Sequence, residues 1–177
     1  MDQLADHFGA QQLIALAVAF AAVAFDLHTR RIPNLLSLGG AIVALSYGVV
    51  TGGFSGLGVS AAGWGAGLAV FLPLFLLGGL GAGDVKLVAC LGAWLGPSMA
   101  LWTALFAALA GGAMAIVVAL ATGYLRAAVD NVYLLLSHFW VAGVRPHPEL
   151  TLERGKGPRL PYALPIAAGA LAAMWLR

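Results

Sequence analysis

Two aspartates stand where a hydrophobic chain has least use for them. Asp26 closes a long apolar run that begins near Leu13, and Asp84 closes another, within Gly81-Ala82-Gly83-Asp84-Val85-Lys86. Only 9% of the residues are charged. A carboxylate inside a membrane helix costs about 2.5 to 3.5 kcal/mol on insertion scales and usually faces protein or a water-filled cavity. Two carboxylates at one depth can share a proton, one ionised to activate water and the other protonated to polarise a peptide carbonyl. Such a pair titrates as a unit. Taken singly, each acid also has a plainer reading: Asp26 is an interfacial charge offset by Arg30 one turn later, and Asp84 caps the next helix. Neither plain reading calls for Gly81 and Gly83, which permit unusual backbone angles and leave no side chain between Asp84 and an approaching backbone.

The elements that must position these acids are membrane helices. With 177 residues, 62% of them hydrophobic, and a mean hydropathy of +0.95, the chain reads as one all-α integral membrane domain over 1–177. The expectation is about six transmembrane helices plus an interfacial amphipathic helix. Crossings are expected at about Leu13–Leu27, Leu35–Val50, Val59–Leu80, Val85–Leu95, Met99–Tyr124 and Leu160–Leu176. Thr51–Gly56 reads as a short turn. Gly63, Gly65 and Gly67 would admit a neighbouring helix, and Pro73 would kink the third crossing. The fourth is marginal in length and must extend into its flanking glycines, lie where the bilayer is thin, or be partly buried in protein. From Leu125 to Val144 apolar residues recur at helical spacing opposite polar ones, and with the polar loop to about residue 160 this makes a cytoplasmic amphipathic segment.

Charge sets the orientation. With the N-terminus outside, eight of the nine basic residues (Arg30, Arg31, Lys86, Arg126, Arg145, Arg154, Lys156 and Arg159) lie on the cytoplasmic side, and only Arg177 lies opposite. This is the positive-inside bias, and it places Asp26 and Asp84 level at that face. It also accounts for the net charge of +2 without nucleic acid as a partner; the partner implied is the lipid bilayer. Residues 1–12 carry Asp2 and Asp6 but no Lys or Arg, so the first helix is expected to remain in the mature protein rather than act as a cleaved signal. The single cysteine, Cys90, is expected to be a packing residue. The histidines show no metal-ligand spacing, and no metal or organic cofactor is expected.

Phe25-Asp26-Leu27-His28-Thr29-Arg30-Arg31-Ile32-Pro33-Asn34, followed by Gly81-Ala82-Gly83-Asp84-Val85-Lys86-Leu87, resembles the two signatures of the type IV prepilin peptidases, membrane aspartic proteases of the GxGD type. The resemblance implies that Asp26 and Asp84 are the catalytic pair and that the substrates are prepilins and pseudopilins. Their basic leader would be cut at the cytoplasmic face of the bacterial inner membrane. The larger family members carry an extra N-terminal region with two CxxC pairs associated with methylation. This chain lacks both, and so resembles the short peptidase-only form of the tight-adherence (Flp) pilus systems, without methyltransferase activity.

Smaller expectations attach to other residues. Leu160-Pro161-Tyr162-Ala163-Leu164-Pro165 resembles a proline-containing segment near the family's last helix, where Pro161 and Pro165 would shape the substrate site; a plain helix start is the alternative. Lys86 would hold Asp84 or a substrate carboxylate, or simply snorkel to the interface. The segment Leu125–Val144 would serve as a lid, a substrate groove or a surface anchor. The rival function is a proton-coupled transporter with the two acids as a relay; their place near one face and the lack of an inverted repeat weigh against it.

Overall fold

The computed structural model describes residues 9–77, 79–142 and 160–176. Among these the chain is helical without strands. It forms α1 (Ala10–Thr29), a π-helical turn (Leu35–Gly39) running into α2 (Gly40–Leu76), α3 (Ala82–Leu95), α4 (Pro97–Ala121), α5 (Leu125–Ala142) and α6 (Ala163–Leu176). Three stretches are long and apolar enough to cross a membrane: Ala10–Thr29, Leu35–Leu76 and Pro97–Ala121. Leu35, Val50 and Phe54 are at least 85% exposed, an apolar surface suited to lipid rather than water.

The 42-residue stretch Leu35–Leu76 is about twice what one crossing needs, and it folds back on itself. The reversal is concentrated at Gly53 (φ 58°, ψ −141°), a conformation that glycine alone enters readily. A Cβ on Gly48 would meet Gly56 O at 2.8 Å and Ser60 Oγ at 2.7 Å. In a straight helix, residues eight apart would lie about 12 Å apart along the axis. The turn expected over Thr51–Gly56 is therefore tighter than its composition suggested. Pro73 is accommodated near the end of α2, and its carbonyl accepts the Leu77 N–H at 3.0 Å.

α3 is the centre of the molecule. Its 14 residues rise only about 21 Å, and of the three outcomes open to so short a helix the protein takes burial: between Val85 and Trp94 every residue but Lys86 is buried. A helix apolar on every face belongs in a core. Its neighbours reach it through glycine. Gly63 of α2 faces the Gly92 carbonyl, Gly67 lies against the backbone of Val88 and Ala89, and Gly40 faces Cys90 Sγ. Gly65 faces open space, so two of the three glycines expected to admit a neighbour do so.

α4 starts at Pro97, a favoured first helical residue, after Gly96 (φ 82°). α6 packs on α4, where a Cβ on Gly169 would meet Ala107 N at 2.5 Å and Thr103 O at 2.7 Å. α5 follows Gly123 (φ 67°) and covers most of the expected amphipathic segment. The polar loop with Arg145, Arg154, Lys156 and Arg159, together with Asp2, Asp6 and Arg177, lies outside the described residues.

Replacing Gly63 by Val forces apart two backbones in contact and is expected to destabilise the protein by at least about 2 kcal/mol, the middle of the overpacking range. Gly65→Ala, facing open space, is expected to be neutral or slightly stabilising. Thermal unfolding of the detergent-solubilised protein compares the two.

Candidate active site

Asp26 lies on the buried stripe of α1 formed by Ala15, Ala19, Ala22 and Asp26. Residues three and four apart share a face, and the small alanines let that face close on its neighbours. The carboxylate is thereby carried inward and is only 9% exposed. Its Oδ2 accepts the N–H of Ala163 at 3.3 Å. Ala163 opens α6, whose first amides have no partner within the helix and whose dipole favours a negative group there.

Asp84 sits in the first turn of α3, after Gly81 in an extended conformation (φ −79°, ψ 148°). Its Oδ2 accepts the Gly81 N–H at 3.2 Å, and its own N–H donates to the Gly81 carbonyl at 3.1 Å. A Cβ on Gly81 would lie 3.0 Å from that same Oδ2, so glycine there makes room for the carboxylate. Asp84 stands outside the three spanning stretches. Burial pushes its carboxyl up to about 6, the Gly81 N–H opposes the rise, and the nearby charge of Asp26 adds to it. The charge of Asp26 thus reaches Asp84, and each acid accepts a backbone N–H.

The chain between them is held closely. α1 stops at Arg30 in the left-handed region (φ 54°), and the Thr29 hydroxyl donates to Phe25 O at 2.9 Å and lies 3.1 Å from Arg31 O. Ile32 then rests on Gly83, where a Cβ would meet its side chain at 3.3 Å. The open side of Gly83 thus faces a residue of the first motif. Lys86 Nζ donates to Asn34 Oδ1 at 2.9 Å.

Pro161 is half-buried and Pro165 buried. Pro165 has no N–H for the Pro161 carbonyl, which accepts from Leu164 N–H at 3.2 Å instead. Between them Tyr162 packs its phenol against α4, where a Cβ on Gly111 would lie 2.6 Å from the hydroxyl. Sequence reasoning gave no part to Tyr162, to the Ala163 N–H or to Asn34. All three stood in stretches already singled out, Asn34 beside Pro33 in the first motif and Tyr162 and Ala163 between Pro161 and Pro165. Among the described residues no group of three His, Cys, Asp or Glu gathers to hold a metal.

The arrangement is two interacting carboxylates, each steadied by a backbone N–H, where the ends of α1, α3 and α6 meet. It suits hydrolysis of an amide by water activated between two acids. The family described as the type IV leader peptidase family matches residues 13–116, more than half of the chain and inclusive of both acids. No curated protein and no solved structure matches the chain.

Gly111→Leu must displace the Tyr162 phenol and is expected to cost about 1 to 3 kcal/mol, the usual penalty of overpacking. At Gly112, where nothing lies within 4 Å, the same substitution is expected to leave the unfolding midpoint nearly unchanged.

Proposed function

The chain belongs to the type IV leader peptidase family, and we propose that it is an aspartic endopeptidase of the short, Flp-associated form, acting on prepilins and pseudopilins. The observation that carries this is the meeting of Asp26 and Asp84 at one end of the bundle, near enough for the charge of one to raise the other. In the proposed reaction the ionised carboxylate takes a proton from water as the oxygen attacks the scissile carbonyl. The protonated carboxyl donates to that carbonyl oxygen. Collapse of the tetrahedral intermediate breaks the C–N bond, and the leaving amine takes a proton from the dyad.

The six-crossing layout supports this reading on topological grounds. α2 supplies two antiparallel arms around Gly53, and the short helix counts from residue 85 onward, with Asp84 at its mouth in the interface. The basic residues then lie inside, the site faces the cytoplasm of the bacterial inner membrane, and an apolar pilin helix in the bilayer would offer its leader junction at that depth. Gly81, Gly83, Lys86, Pro161 and Pro165 shape the site in this account. A proton relay would space its acids through the membrane, whereas these two share one end.

Asp26→Asn and Asp84→Asn are each expected to lower cleavage of a purified prepilin by at least about a hundredfold, the lower part of the range for losing a general acid or base. Cleavage by either variant at the wild-type rate overturns the mechanism, and an intact leader after incubation with wild type overturns the activity.

The pH dependence follows from one shared proton. Above the upper dyad pKa, which Asp84 places near 6, both acids are ionised and no group polarises the carbonyl. kcat/KM is therefore expected to fall as pH rises through that value. A rate that climbs steadily to pH 9 contradicts it.

A further inference from the structure

We propose that Asn34 and Lys86 form a clasp that fixes the separation of the two carboxylates before substrate arrives, which makes Asn34 a positioning residue. The inference rests on the dyad reading above. Asp26 belongs to α1 and Asp84 to α3, so local helix geometry does not set one against the other. The two helices also pack directly on one another, and the loop through Arg30 to Asn34 adds a second tie at the ends that carry the acids.

That loop has a defined path. Arg30 reverses the chain in the left-handed region, a conformation disfavoured for a non-glycine residue that persists only where surrounding contacts hold it. Besides the Thr29 hydroxyl, which lies 3.1 Å from Arg31 O, two contacts tie the loop to α3, one on each side of Asp84. Ile32 rests on Gly83, immediately before it, and Asn34 Oδ1 accepts from Lys86 Nζ, two residues after it, at 2.9 Å. A shift of the loop away from α3 moves the end of α1, with Asp26 one turn back, relative to Asp84.

Lys86 is the fifth residue of α3, past the first turn in which the helix dipole acts on a charge, so its ammonium takes its partner from outside the helix. An acceptor across the gap supplies that partner. Asn34 meets that requirement, with a side chain short enough to hold the loop closely.

The test uses the full-length protein in detergent, a prepilin substrate, and the variants Asn34→Ala, Lys86→Ala, their double, and Asn34→Asp, which keeps the acceptor oxygen. Each alanine variant is expected to lose at least about tenfold in kcat with KM nearly unchanged, since misplacement of reacting groups acts on the chemical step. The double variant is expected to be no worse than the weaker single, and Asn34→Asp to keep most of the rate. The alkaline limb of the pH profile should move to lower pH in Asn34→Ala, which removes no charge, because carboxylates held farther apart repel less. A merely structural role would not move it.

Wild-type kcat in Asn34→Ala, losses that multiply in the double variant, or a falling rate with an unmoved alkaline limb each overturn the clasp. An intact leader with wild type is a different failure, visible before any substitution, and overturns the dyad reading and the clasp together.

Discussion

The burial of α3 on nearly every side constrains the rest of the molecule, because a helix of 14 residues can neither span a bilayer alone nor leave its ends in hydrocarbon. Between helices in lipid there is little hydrophobic driving force, so enclosure must come from close van der Waals contact. That requires small residues at the crossing points, and the chain supplies Gly63, Gly67, Gly92 and Gly40 there. With the helix enclosed from Val85 to Trp94, Asp84 stands half-buried in its first turn.

The same logic governs the other acid. The alanine stripe of α1 brings Asp26 against protein, where a carboxylate without a donor would be costly, and the first amide of α6 supplies the donor. Asp84 takes its donor from Gly81. Each acid accepts through Oδ2 in these bonds; in the proposed mechanism Oδ1 of each is the atom for a shared proton or a water. Helix packing and carboxylate chemistry are therefore coupled: the contacts that close the bundle also set where the two charges stand.

The class of the fold was plain in the composition, and the two acids were legible because charge is scarce enough for each to need a reason. Partners were harder to read. Gly63 and Gly67 announced a close approach but not that α3 was its object, and Gly65 carried the same signal and faces nothing. Periodicity cannot separate a buried core helix from a short crossing, which left α3 open between burial and thinning of the bilayer. The turn expected over Thr51–Gly56 shrank to Gly53 because flanking glycines can remain helical when packing holds them. The Ala163 N–H was invisible for a more general reason: every residue but proline has a backbone donor, and only the fold selects the one that is aimed. Asn34 stood in a motif already noticed, but its partner, Lys86, comes from the other motif.

The central claim is that Asp26 and Asp84 act as one titrating unit. Carboxyl-carbon NMR titration of the detergent-solubilised protein, comparing wild type with Asp26→Asn, tests it without substrate. The account predicts that Asp84 titrates near 6 in wild type and moves downward once Asp26 is neutral. An Asp84 that titrates in the ordinary range about 3.9, or that is unmoved by Asp26→Asn, would contradict it.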